Sequence, residues 1–189
     1  GLISHAHRRL QTVLGWALSA LAIAPVDDSD IAQHEALVDA CVRRYAKGGR
    51  TLLVVDEAQN LSADVLEELR LLLNVNSDQD LVLQLLLVGQ PELRETLRAP
   101  GLRQLAQRVA ADYHLRPLGR EETVGYVRHR LSVAGGHPDT FDGGALDFVH
   151  ARTGGVPRLV NQLCDMGLVY AYASQQRYVD VEVLRQVLV

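Results

Sequence analysis

Two adjacent carboxylates, Asp56 and Glu57, follow directly on the apolar run Leu52-Leu53-Val54-Val55. A buried strand of this kind delivers both acids to the carboxyl end of a sheet, where open α/β sheets bind their ligands. The chemistry this suits is water activation. In nucleotide hydrolysis a first carboxylate helps to hold Mg2+, directly or through water. A second can polarise the attacking water as a general base. The same dipeptide can instead cap the helix that follows and face solvent, and the two residues alone leave that reading open.

Other chemistry-bearing residues are sparser. His5-Ala6-His7 is the nearest approach to a metal pair, but no carboxylate or cysteine accompanies it, and surface histidines are expected. His114, His129, His137 and His150 have no ligand spacing. Cys41 and Cys164 lie far apart in apolar helical patterns and read as small buried hydrophobes of a reduced protein, without a redox or ligand role.

The elements that must position the acids follow from periodicity. Residues 5–22 carry Leu10, Val13, Leu14, Ala17 and Leu21 at helical spacing, and Pro25 with Asp27-Asp28-Ser29-Asp30 stops that helix and caps the next. A second helix, about 31–46, is expected to bury Leu37 or Val38, Cys41, Val42 and Tyr45, with Gly48-Gly49 ending it. The period then changes. Thr51 to Val55 reads as a central parallel strand, apolar on both faces. Ser62 caps a helix of about 63–73, Asn74 to Asp80 form a polar turn, and a second buried strand runs from about Leu81 to Val88. Short helices at 92–98 and 101–106 are split by Pro100-Gly101, and Ala111 to Leu115 is a candidate third strand. After Pro117 the pattern is helical throughout, at about 120–134, 143–153, 157–174 and 180–188. The sequence therefore predicts an α/β domain over residues 1–117 and a helical lid over 118–189.

Composition narrows the function classes. The chain has 189 residues, 48% of them hydrophobic, and a net charge of −4, which argues for no particular nucleic-acid or membrane partner. No apolar run reaches the ~18 residues of a spanning helix. Thr12 to Val26 comes nearest and is interrupted by Gly15, Ser19 and Pro25. The chain opens at Gly1 and its sole methionine is Met166, so residue 1 is expected not to be a translation start. Lys47 is the sole lysine. A phosphate-cradling loop, G-x-x-x-x-G-K-[ST], needs glycines before a lysine, following a strand and opening a helix. Here Lys47-Gly48-Gly49 precedes a strand and reads as a helix stop.

The segment Val54-Val55-Asp56-Glu57-Ala58-Gln59-Asn60-Leu61, followed by a leucine-rich helix, resembles the Walker B segment of AAA+ ATPases. The likeness is to the ExeA type, the general secretion pathway protein A family, whose segment reads DEAQNL. Leu86-Leu87-Val88-Gly89-Gln90-Pro91-Glu92-Leu93 resembles that family's next core strand and the sensor position after it. Leu102 to Val109 resembles the stretch that carries an arginine finger, and Gly154-Gly155-Val156-Pro157-Arg158-Leu159 resembles the sensor-2 motif of the lid. Together these cover roughly residues 50–185.

The resemblance implies a partial AAA+ P-loop NTPase sheet, its first strand and P-loop absent, with Gly1-Leu2-Ile3 as the tail of its second strand and two helices leading to the Asp-Glu strand, followed by a helical lid. It implies ATP and Mg2+ in the complete protein, Asp56 holding the metal together with a P-loop Ser or Thr and Glu57 acting on water. Gln90 would touch the γ-phosphate or orient water, although other AAA+ branches place a smaller polar group there; a glutamine satisfying the next turn is the alternative. Arg108, with Arg103 as alternate, would reach a neighbouring subunit's site. Arg158, just after the first-turn Pro157, would point across the interdomain cleft at phosphates. A solvated helix arginine remains the alternative for each. The family order is taken to put the first strand beside the Asp-Glu strand, so residues 1–189 alone are expected to bind ATP poorly, to hydrolyse it negligibly and to expose an edge that invites self-association.

By the same resemblance the complete protein is expected to be a cytoplasmic ATPase that self-associates and works with secretion-apparatus or inner-membrane proteins in type II secretion or pilus assembly. A transposition-type ATPase that binds DNA and recruits a transposase is the first alternative, with Arg116, Arg120, Arg128 and Arg130 as its candidate basic face. A non-catalytic scaffold that keeps the fold is the second.

Overall fold

The three apolar runs nearest the acids come together as one parallel sheet. A computed structural model describes residues 1–3, 12–25, 27, 29–76 and 80–187. Strand β1 (Leu2–Ile3) pairs with β2 (Thr51–Val55), which pairs with β3 (Leu83–Leu87), in the order β1-β2-β3. The register sets Leu2 against Val54 and Thr51 against Leu83, so all three strands end at the same level. Both neighbours of β2 are thus occupied. This corrects the expectation that a further strand belongs beside the Asp-Glu strand: another strand can join only at the outer edge of β1 or of β3.

Helices α1 (Val13–Ala20), α2 (Asp30–Ala46) and α3 (Ala63–Leu72) build the core against this sheet. Each begins on a hydroxyl cap: Thr12 accepts from the Gly15 N–H, Ser29 from Ala32 and Ser62 from Val65. Thr12 is extended, so α1 starts at Val13; the expected helical residues 5–11, with His5 and His7, lie outside the described residues, as do Val26, Asp28 and 77–79. In α2 Leu37 and Cys41 are buried one turn apart, whereas Val42, about 100° further round the helix, is exposed.

Burial of the sheet is one-sided, where both faces were expected to be covered. Leu53, Val55 and Leu83 join the core with Val13, Ala17, Leu66 and Leu69. The alternate positions Leu2, Leu52 and Leu86 are 59%, 43% and 47% exposed. A period of two puts successive side chains on opposite faces, and no described element covers the second face.

Helices α4 (Glu92–Leu97) and α5 (Arg103–Gln107) follow β3. The expected third strand at Ala111–Leu115 does not form. Residues 109–119 have no regular structure, and Tyr113 and Leu115 are 85% and 82% exposed. A strand needs a partner for its amides and a face to bury, and this segment finds neither among the described residues. The third strand of the sheet is Leu2–Ile3, where the resemblance implies the tail of a strand.

The chain divides into two units, Gly1–Asp112 and Tyr113–Val189. The second contains α6 (Arg120–Val133), α7 (Gly143–Thr153), α8 (Pro157–Ala173) and α9 (Val181–Val187) around Phe141, Leu146, Val149, Val160 and Leu184. Asp142 caps α7 and the Asp180 carboxylate accepts from Val183 at the start of α9. Gly155 is indispensable to this unit. It has φ +75°, and a Cβ there would lie 1.9 Å from the Leu118 carbonyl oxygen.

Candidate active site

Strand β2 carries the acids to the sheet's carboxyl end, and the neighbouring strands pin the turn that holds them. The Asp56 N–H donates to the Ile3 carbonyl at 3.0 Å, on the β1 side. The Ala58 N–H donates to the Val88 carbonyl at 2.9 Å, on the β3 side. Between these anchors Glu57 adopts φ 55°, ψ 35°, a left-handed conformation uncommon for a residue with a side chain. Such strain persists only where its surroundings enforce it, and it concentrates at functional sites.

The two carboxylates are held differently. Asp56, half-buried, accepts the Glu57 N–H on Oδ1 at 2.9 Å. Glu57, exposed, accepts from the Gln59 side-chain amide, Nε2 to Oε2, at 2.6 Å. The other end of that amide, Oε1, accepts the Gln90 N–H at 3.1 Å. One glutamine therefore joins the second acid to the segment after β3. Gly89 makes room for it, since a Cβ at that position would lie 2.6 Å from Gln59 Oε1. Gln59 stands inside the motif the sequence brought forward, yet its role was missed because its partner lies 31 residues away.

Of the sequence-predicted residues, the fold brings together Asp56, Glu57 and the Gln90 backbone. The Gln90 side chain is exposed, and the backbone carbonyl of Gln90 accepts from the Leu93 N–H at the start of α4. Arg108 follows α5 and donates from its guanidinium to Asn74 Oδ1 at 3.1 Å, an exposed contact. Arg103, exposed on the first turn of α5, lines an open pocket with Gln104, Glu67 and Arg70, the last two forming an ion pair of 2.6 Å. Arg158, in the second unit, is exposed on the first turn of α8 behind Pro157 and has no ion pair among the described residues.

The donor set bears on a metal. Among the described residues no three His, Cys, Asp or Glu side chains gather as an enclosing site. Asp56 offers a single hard oxygen donor group at the strand end. That fits Mg2+, which keeps several waters and takes one or two carboxylates together with substrate phosphates. When bound, such an ion would neutralise phosphate charge beside the carboxylate that faces it.

The second unit's candidate basic face is partly engaged by its own neighbours. Arg120 pairs with Asp147 at 2.8 Å, Arg128 lies 3.9 Å from Asp139, and Arg130 donates to the Tyr126 hydroxyl. Among the described residues no helix is long and apolar enough to cross a membrane.

Comparison with known proteins agrees with this geometry. A family model described as an AAA domain matches residues 5–97. General secretion pathway protein A of Aeromonas hydrophila is 49% identical over 135 residues, covering 71% of this chain and 25% of that protein. The chain thus spans about a quarter of the length of this curated relative. Among solved structures, the Aeropyrum pernix ORC2 protein in its ADP form is similar with a TM-score of 0.65 at 15% identity, over 93% of this chain and 49% of that one. The Thermotoga maritima RuvB Holliday junction branch migration motor gives 0.58 at 15% identity, over 80% and 48%. At such identities these two show the fold alone, a parallel α/β core with helices. The 49% relative and the matching family model show that the chain belongs to the AAA+ ATPases of the general secretion pathway protein A type.

Proposed function

We propose that this chain carries the water-activating part of an ATPase site whose hydrolysis drives assembly of a type II secretion or pilus apparatus at the cytoplasmic face of the inner membrane. The observation that carries the reading is the pinned Asp56-Glu57 turn: two acids at the carboxyl end of β2, the second tied through Gln59 to the segment after β3. In the proposed site Asp56 orients the Mg2+ that accompanies ATP. Glu57 accepts a proton from the attacking water. The residues' task is otherwise positioning and charge neutralisation, which is what phosphoryl transfer asks of a protein. Arg108 serves as the finger toward a neighbouring copy, with Arg103 as alternate, and Gln90 and Arg158 contact phosphate.

The 49% identity to a protein named for the general secretion pathway supports the secretion role. The ion pair of Arg120 with Asp147 at 2.8 Å takes one guanidinium out of a DNA-binding face, because a paired guanidinium has less charge to offer phosphates. The 189 residues contain no G-x-x-x-x-G-K-[ST] sequence, so we propose that by themselves they turn over no ATP.

The test is ATP hydrolysis by the full-length protein and its Glu57→Gln variant. Nucleotide binding should survive in the variant while turnover falls by about 100-fold or more, the range for losing a general base. Turnover near wild type in Glu57→Gln would sink the assignment.

A further inference from the structure

The Gln59 amide has two unlike partners, and that pairing restricts what can stand there. A carboxylate accepts hydrogen bonds and a backbone N–H donates them. A side chain that bridges the two must donate at one end and accept at the other. Glutamine does this; glutamate only accepts, and lysine and arginine only donate. Turning the amide over would set Oε1 against Glu57 and Nε2 against the Gln90 N–H, so the network itself fixes the orientation. The room for the bridge is built on purpose-fitting backbone, with Gly89 lacking the Cβ that would lie 2.6 Å from Oε1 and Glu57 held left-handed over the turn.

We propose that Gln59 is the positioning residue of this site: its amide aims the Glu57 carboxylate and couples that aim to the Gly89-Gln90 segment, so that displacement of the segment re-aims the acid. The inference rests on the ATPase reading above and assigns a role that the motif itself does not state. The two ends of the Gln59 amide are taken by Glu57 and by the Gln90 backbone. It acts through Glu57, the distance of 2.6 Å on one side and 3.1 Å on the other making a continuous link between two strand ends.

The experiment is a double-mutant cycle in the full-length protein, with ATP hydrolysis and the stoichiometry of bound ATP analogue measured together. Gln59→Met keeps length and removes both polar ends. Gln59→Glu keeps the acceptor toward Gln90 and sets a second carboxylate against Glu57. Both should lower kcat about 10- to 100-fold, the range typical of groups that orient a working ligand, with binding stoichiometry unchanged and KM within about threefold. In a Glu57→Gln background the same substitutions should change the residual rate less than about twofold, because groups that act as a unit are not additive. An equal loss in both backgrounds, or a Gln59→Met enzyme with wild-type kcat, overturns the proposal while leaving the ATPase reading intact. Absence of turnover in the wild type overturns both. Should Gln59→Met fail to fold, Gln59→Glu decides by the same cycle.

Discussion

The side chain of Asn76 pairs with both backbone groups of Leu83: its Oδ1 accepts the Leu83 N–H at 2.9 Å and its Nδ2 donates to the Leu83 carbonyl at 2.8 Å. Val88 directs its own amides at β2, so the alternation turns those of Leu83, Leu85 and Leu87 outward. Asn76 thus closes the first step of the open β3 edge as another strand would. Asn76→Ala leaves a part-buried donor and acceptor without partners. We expect a loss of about 1–3 kcal/mol, read from urea unfolding, with Asn76→Asp intermediate because it keeps the acceptor and loses the donor.

The uncovered sheet face should make the 189-residue chain self-associate. Leu2, Leu52 and Leu86 form an apolar surface next to the unpaired β3 edge, and open edges template pairing. Leu86→Lys, at a position already 47% exposed, should shift sedimentation toward monomer at a given concentration. Its effect on stability should stay within about 0.5 kcal/mol, as for ordinary surface changes.

Gly155→Ala should be severe. The left-handed backbone alone costs of order 1–2 kcal/mol for a residue with a Cβ. Here the added carbon would also meet the Leu118 oxygen at 1.9 Å, in a segment fixed by the Leu118 N–H to Gly155 carbonyl bond. We expect a loss of about 3 kcal/mol or more, confined to the transition of the second unit in a thermal melt.

Burial pushes the Cys164 thiol up from 9.0 to about 12, with Asp165 adding to the shift and Arg130 opposing it. Between those values the unfolded chain has released this proton and the native chain has not. The unfolded state then binds fewer protons, so stability falls as pH rises through this window. The contribution is fully present below about pH 8.5, the ordinary range of a free thiol. Cys164→Ala should flatten the decline in stability between pH 9 and 12, measured by urea unfolding at each pH. A thiol reagent at pH 8 should modify Cys164 only as fast as the chain opens.

Arg108→Ala tests the proposed finger. The residue is exposed and its one described contact, with Asn74, is a surface hydrogen bond, so folding should change by less than about 1 kcal/mol. Turnover of the assembled full-length protein should fall about 10^3-fold, as for other fingers supplied to a neighbour. Mixing Arg108→Ala with Glu57→Gln chains should restore part of the rate, since each supplies what the other lacks. A rate unaffected by Arg108→Ala removes the residue from the site.

The sequence by itself determined whatever is encoded locally. The switch from helical period to an apolar run at Thr51, the caps at Ser29 and Ser62, and the helix at 143–153 all lie within a few residues of the signals that specify them. The Asp56-Glu57 pair was legible for the same reason, since a strand end is a local event. Tertiary structure decided what depends on pairing across the chain. Two residues, Leu2 and Ile3, which only the family resemblance marked as a strand tail, hold as a strand because a parallel neighbour supplies their hydrogen bonds, whereas Ala111–Leu115, of better strand length, finds no partner among the described residues. Pairing placed β2 between two strands and so moved the open edges to β1 and β3. The link from Glu57 through Gln59 to Gln90 had no local signal, because a side-chain amide chooses its partners by distance in space, and folding alone brought residue 90 within reach of residue 59.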